Sequence, residues 1–147
     1  MRVEAEPYRS DEEVLEVVRR FESCEFPPDD FKHRQHLIVA LCYLLRGPER
    51  EAHAKVRDGI LKFLAHHRID PSSVYHETLT VFWIKLVQKA ISEVGHGSFV
   101  LTTNEVLERL ADPRIIFEYY SEACLKTDIA RSDWVEPDLK PLKSDKL

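Results

Sequence analysis

The spacing of the apolar residues is the feature that most restricts how this chain can fold. Apolar positions recur three and four residues apart more often than two apart, which is the repeat of an α-helix rather than of a β-strand. Only four glycines occur in the 147 residues, which fits long helices better than a series of tight turns. We therefore predict an all-α protein, and the chain length is that of a single domain over residues 1–147.

Turn and capping signals divide the chain into six predicted helices. Ser10 and Glu13 have the spacing of a capping box, Gly47-Pro48 stops the second helix, and Asp70-Pro71 makes a turn after the third. We expect a compact bundle of five to seven helices with an up-down core of the second, third and fourth. The predicted helices cover about 11–24, 30–46, 49–67, 73–94, 103–110 and 115–124.

The chain changes character after about residue 131. The segment Trp134-Val-Glu-Pro-Asp-Leu-Lys-Pro-Leu142 has two prolines four residues apart, and a helix interior does not accept them. We therefore predict an extended C-terminal strap and tail over 131–147. Trp134, Leu139 and Leu142 are too apolar for a free tail, so we expect the strap to dock on the bundle, as a lid if it covers the starts of the second and fourth helices.

Charge and cysteine spacing argue against several classes of protein. The formal charge is −5 and no basic stripe is present, so we expect neither nucleic acid nor a membrane as partner. The longest apolar run has nine residues and no hydrophobic signal region occurs, which predicts a cytoplasmic protein. Cys24, Cys42 and Cys124 are too far apart for a disulfide scaffold or a zinc ribbon.

Three histidines lie where a helical protein would normally place leucines. His33 and His36 belong to Phe31-Lys-His-Arg-Gln-His36, and His76 opens Tyr75-His-Glu-Thr78; each segment leads into an apolar run. A buried imidazole costs free energy unless its nitrogens find partners, and a shared metal ion is the simplest common partner. An up-down-up order would make the second and fourth helices parallel and bring all three histidines to one end of the bundle.

These histidines predict a mononuclear metal-dependent enzyme that acts on a small molecule. His33, His36 and His76 would be the ligands, and three neutral imidazoles suit zinc, iron or copper equally. Glu77 is a candidate proton shuttle, and Arg34 is a candidate partner for an acidic group of the substrate. No phosphate-binding glycine loop occurs, so no nucleotide cofactor is predicted.

A binding protein without catalytic activity is the alternative hypothesis. A single inward histidine more often bonds a carbonyl or a carboxylate than a metal, and His76-Glu-Thr-Leu-Thr80 lacks the second histidine of the zincin motif. In this alternative the histidines line a polar pocket for a small ligand or a peptide. The other histidines, among them His53, His66 and His67, are predicted to be solvated, with His96 in a loop.

Three sequence motifs together resemble an uncharacterised family of small, all-helical bacterial proteins. They are Phe31-x-His-Arg-x-His36, Tyr75-His-Glu-Thr78 and Trp134-Val-Glu-Pro-Asp-Leu-x-Pro-Leu142, and they span most of the chain. The resemblance implies a bacterial origin but no activity, cofactor or substrate. A small bundle with three histidines on separate helices is also similar in architecture to DinB-like metalloproteins, which hold a divalent ion in this way.

Overall fold

The computed structural model describes residues 6–95 and 97–142. Within these ranges the protein contains nine α-helices and no strand, so the all-α prediction is confirmed and the expected number of five to seven helices is wrong. Single 3₁₀ turns lie at Pro28–Asp30 and Pro113–Ile115. The helices are α1 (Asp11–Glu22), α2 (His33–Arg46), α3 (Glu49–His66), α4 (Pro71–Val74), α5 (Glu77–Val94), α6 (Phe99–Arg109), α7 (Ile116–Tyr119), α8 (Glu122–Leu125) and α9 (Asp128–Ser132).

Two of the three additional helices arise because local caps divide predicted segments. The third, α9, follows the last predicted helix and is capped by Thr127, which accepts from the backbone N–H of Ala130; it ends at Ser132, so the strap predicted from residue 131 begins at 133. The segment predicted over 115–124 breaks at Tyr120, whose backbone is extended, and Ser121 caps α8 by accepting from the backbone N–H of Cys124. The segment predicted over 73–94 breaks at His76, which is also extended and caps α5. A side chain that accepts a backbone N–H begins a new helix rather than continuing the old one.

The core is built around α2. All eight residues from Leu37 to Leu44 are buried, and α2, α3 and α5 pack against one another, with α1 and α6 beside them. Close packing also shapes the contact between α1 and α3: a Cβ added at Gly59 would lie 2.5 Å from the Phe21 ring. None of the helices in the described ranges is long and apolar enough to cross a membrane.

The starts of α2 and α5 lie beside opposite ends of α3. Phe31, just before α2, contacts Phe63 near the end of α3, with ring centroids 5.3 Å apart. Glu77, the first residue of α5, instead lies 2.8 Å from His53 in the first turns of α3. Ten residues of helix separate these two contact points, which is about 15 Å along the axis. The predicted arrangement, with both helix starts at one end of the bundle, is therefore not found.

Residues 133–142 form the strap, which lies against the start of α5 and against α7. Thr78 is fully buried, and its hydroxyl donates to the carbonyl of Asp133 (2.7 Å) and accepts from the N–H of Val135 (3.2 Å). The Tyr120 hydroxyl donates to the carbonyl of Val135 at 2.5 Å. The predicted docking is confirmed for these residues, and two of the motifs in the sequence thus contact each other.

The apolar residues of the strap do not all contribute to this docking. Trp134 and Leu142 pack against the core, whereas Leu139 remains 57% exposed. The backbone N–H of Leu139 donates to the carbonyl of Tyr119 at 2.9 Å, so the main chain rather than the side chain anchors that position. The predicted tail over 143–147 lies outside the described residues, as does His96.

Candidate functional site

His33 begins α2 and connects it to the end of α6. Its Nε2 lies 2.8 Å from the carbonyl oxygen of Leu110, and its ring meets Trp83 edge-on at 4.5 Å between centroids. A carbonyl can only accept, so Nε2 carries the hydrogen, and Nδ1 of the neutral ring has the free lone pair. Burial lowers the pKa of His33, although the Leu110 bond and the charge of Asp112 oppose this effect.

His36 lies one turn further along α2, in an aromatic cluster. Its ring is partly buried and lies 4.2 Å from the ring of Phe31, and no hydrogen bond joins it to another residue of the described ranges. Burial, and to a smaller extent the proximity of His33, lowers the pKa of His36 to about 4. The ring is therefore neutral at neutral pH.

His76 caps α5 instead of lying within the apolar face of a helix, as the sequence predicted. Nδ1 accepts from the backbone N–H of Leu79 at 3.2 Å, and Nε2 lies 2.8 Å from the carbonyl of Leu125, to which it donates. Both ring nitrogens are therefore occupied. Burial lowers the pKa of His76, the Leu125 bond raises it, and the nearby charge of Arg131 lowers it.

The structure brings His33 and His36 close to each other but leaves His76 apart from them. Trp83, which contacts His33, follows His76 by seven residues, or about 10 Å along the helix axis. A metal ligand needs a free nitrogen lone pair, and neither nitrogen of His76 has one in this arrangement. Among the residues that the structure describes, no three His, Cys, Asp or Glu side chains are placed to hold a metal ion. The three histidines therefore do not fit one shared ion here.

The two candidate catalytic residues lie in different environments. The Arg34 guanidinium lies 4.6 Å above the ring of Tyr8 and donates to the carbonyl of Glu6 at 2.5 Å, so it holds the N-terminal segment against α2. Glu77 instead accepts from the Tyr75 hydroxyl at 2.6 Å. Burial, followed by the bond to Glu77, raises the pKa of Tyr75. The structure does not bring Arg34 and Glu77 together.

His53, which the sequence predicted to be solvated, is a neighbour of Glu77. Its side chain is 28% exposed, and Nε2 lies 2.8 Å from a Glu77 carboxylate oxygen, although not in the direction of a hydrogen bond. A signal for this burial was present, since His53 precedes the buried Val56 by three residues and therefore shares its helix face. His67 was also predicted to be solvated, but its Nε2 lies 3.0 Å from the carbonyl of Phe26.

A cleft of about 1110 Å³ opens between the start of α2 and the last turns of α6. We call it the α2–α6 cleft. Its walls carry basic and acidic side chains above an apolar base, and His33 lies where the two helices meet. The lining residues are Pro7, Arg20, Phe26, Asp30, Lys32, His33, Arg34, Gln35, Leu37, Asn104, Glu105, Leu107, Glu108 and Ala111. The strap contributes no residue to this lining, so it is not a lid over His33.

Hydrogen bonds hold the walls of the α2–α6 cleft in place. The bond from His33 to Leu110 joins α2 to the end of α6. The Asn104 side chain on α6 accepts from the N–H of Tyr8 (2.8 Å) and donates to the carbonyl of Tyr8 (2.9 Å). Arg20 and Phe26 also line the cleft, and the Arg20 guanidinium lies 4.2 Å above the Phe26 ring. The cleft is therefore formed by anchored segments and does not require a ligand to assemble.

No protein-family model matches the chain, and no similar curated protein or solved structure was found. Any functional assignment therefore depends on the geometry of the site itself.

Proposed function

We propose that the protein is a binding module that takes a small ligand or a peptide in the α2–α6 cleft and needs no metal to do so. The observation that carries the proposal is the position of His33, which lines the cleft while its Nε2–H is held by the Leu110 carbonyl. One ring nitrogen thus has a structural role, and the other remains available as an acceptor. This corresponds to the binding alternative predicted from the sequence.

The size and lining of the α2–α6 cleft support the proposal. Ligand sites are usually concave, about 300–1000 Å³ in volume, and combine an apolar surface with a few polar groups. The cleft, at about 1110 Å³, is slightly larger than this range and combines the apolar side chains of Leu37 and Leu107 with charged groups. A metal-dependent enzyme is less well supported, because the hydrogen bonds of His76 use both of its nitrogens.

Filling the cleft tests the proposal. Ala111 is exposed and lines the cleft, so Ala111→Trp should occupy the space without disturbing the core. Ala65 is exposed on α3 and does not line the cleft, which makes Ala65→Trp the matched control. Free amino acids, dicarboxylic acids, polyamines and dipeptides would be screened by amide chemical-shift mapping on the wild-type protein and both variants.

We expect at least one of these compounds to give saturable shifts at the start of α2 and the end of α6. The shifts should persist in Ala65→Trp and disappear in Ala111→Trp. Shifts that map elsewhere, or that survive in Ala111→Trp, would contradict the proposal. Stoichiometric metal in untagged wild-type protein that is lost from a His36→Ala, His76→Ala variant would instead favour the metal-dependent enzyme.

A further inference from the structure

We infer that the ligand of the α2–α6 cleft is a short zwitterionic peptide, with its amino group on Nδ1 of His33 and its carboxylate facing Lys32 and Arg20. This inference rests on the proposed binding function and adds the chemical class of the ligand and its orientation. Its basis is the separate placement of hydrogen-bond acceptors and donors around the cleft.

The hydrogen of the neutral His33 ring lies on the nitrogen that faces Leu110. The Leu110 carbonyl, 2.8 Å from Nε2, only accepts, so the hydrogen of the neutral ring lies on Nε2. No residue of the described ranges hydrogen-bonds Nδ1. His33 lines the cleft, so Nδ1 is the ring nitrogen left to accept a hydrogen bond from a ligand, and a ligand group that meets it has to be a donor.

Three carboxylates line the cleft. Glu105 and Glu108 are both on α6, the helix whose end is bonded to His33, and Asp30 precedes α2. Glu105 has a distant ion pair with Arg109 at 3.6 Å, whereas Asp30 and Glu108 pair with no cation of the described residues. The α6 wall thus carries acceptors and negative charge, which favours a ligand ammonium group.

Basic side chains also line the cleft. Lys32 and Arg20 line the cleft from the N-cap of α2 and from α1, and neither forms an ion pair with a described carboxylate. The α6 side of the cleft therefore contributes carboxylates and no basic residue, whereas the basic residues of the lining come from α1 and from the start of α2, where Asp30 also lies. This pattern complements a molecule with an amino group and a carboxylate at separate ends.

The volume favours a peptide over a single amino acid. At about 1110 Å³ the cleft exceeds the typical size of a small-molecule site, about 300–1000 Å³, and its base presents Phe26, Leu37 and Leu107 to an apolar side chain. An extended chain of two or more residues can span the walls and place a side chain on this base.

Three related dipeptides test the inference: Ala-Phe, N-acetyl-Ala-Phe and Ala-Phe amide. Acetylation removes the ammonium group, and amidation removes the carboxylate. Binding to the wild-type protein would be measured by chemical-shift titration and calorimetry at a neutral pH. We expect Ala-Phe to bind most tightly and each modification to weaken binding about tenfold or more, because each removes a charge-assisted hydrogen bond.

Two substitutions at His33 separate its two nitrogens. In His33→Gln the side-chain amide can still donate to the Leu110 carbonyl but provides no acceptor in place of Nδ1. His33→Asn places a side-chain oxygen near the Nδ1 position but is too short to reach Leu110. We expect His33→Gln to retain thermal stability and lose the preference for the free amino group. His33→Asn should lose stability and retain part of the preference.

The outcomes distinguish this inference from the proposed function. If all three dipeptides bind the cleft equally, or if His33→Gln keeps the preference for the free amino group, the ligand class is wrong while the cleft remains a binding site. If none of them shifts the cleft residues, the inference is overturned and the wider compound screen decides the function. If binding persists in Ala111→Trp, both are overturned.

Discussion

The same substitution at two fully buried threonines should have different effects on the stability of the protein. Thr78 on α5 and Thr103 on α6 are both 0% exposed. The Thr78 hydroxyl donates to the carbonyl of Asp133 and accepts from the N–H of Val135, so it has two partners in the strap. The Thr103 hydroxyl has no hydrogen-bond partner among the described residues. Replacing each threonine by valine exchanges a hydroxyl for a methyl group of similar size.

The sign and size of each effect follow from these hydrogen bonds. Thr78→Val removes two of them and leaves two strap groups without their partner, and at about 1 kcal/mol for each bond the loss is about 2 kcal/mol. Thr103→Val removes a buried polar group that has no partner, so we expect no loss of stability and a gain of up to about 1 kcal/mol. The difference between the two variants should therefore be about 2–3 kcal/mol.

Urea denaturation followed by circular dichroism measures both variants under the same conditions. Hydrogen exchange provides a local measurement, because the Val135 N–H donates to the Thr78 hydroxyl. The exchange rate of this N–H should rise in Thr78→Val and stay unchanged in Thr103→Val. Equal destabilisation by the two substitutions would refute the reasoning. So would unchanged protection of Val135 in Thr78→Val, since the strap would then be held without this contact.

Further predictions concern the helix contact, the pH dependence, the strap and the metal. Gly59→Ala should destabilise the protein by about 1–3 kcal/mol in urea denaturation, because the new methyl group would lie 2.5 Å from Phe21; wild-type stability would show that α1 shifts freely. The folded protein lowers the pKa of His36 from 6.5 to about 4. The free energy of unfolding should therefore decrease by up to about 3 kcal/mol as the pH falls from 6.5 to about 4, because the unfolded chain binds the proton more tightly. His36→Phe should remove that part of the pH dependence, and an NMR titration of His36 near 6.5 in the folded state would contradict it. Truncation after Ser132 should lower the melting temperature without altering ligand shifts in the α2–α6 cleft, because residues 133–142 bond α5 and α7 but do not line the cleft; unchanged melting would show that the strap is not stabilising. Metal analysis of untagged protein should show no stoichiometric ion that depends on His36 and His76, and such an ion would revive the enzyme hypothesis.

Much of the helical architecture follows from local signals in the sequence. The spacing of Ser10 and Glu13 predicts the start of α1, and Ser10 does accept from the N–H of Glu13. Gly47-Pro48 separates α2 from α3, and the continuous apolar run that follows His36 becomes the buried centre of the bundle. These features depend on neighbouring residues and on helical periodicity, so they can be predicted before the tertiary contacts are known.

The candidate site could not be predicted in the same way, because the partners of its side chains are distant in the chain. The sequence identifies His33 and His76 as unusual, but Leu110 and Leu125, the carbonyls to which they donate, follow them by 77 and 49 residues. Thr78 shows the same limit, because the strap groups that its buried hydroxyl bonds, in Asp133 and Val135, follow it by 55 and 57 residues.

The sequence by itself therefore determined the helical class, several helix boundaries and the unusual positions of the histidines at the starts of apolar segments. Only the tertiary structure decided that His33 and His76 bond different carbonyl groups and that a cleft lies between α2 and α6. The physical reason is that helix formation depends on contacts within one turn, whereas each imidazole takes its role from the group that its nitrogens meet. That group is set by how the helices pack, and the periodicity of the chain contains no information on it.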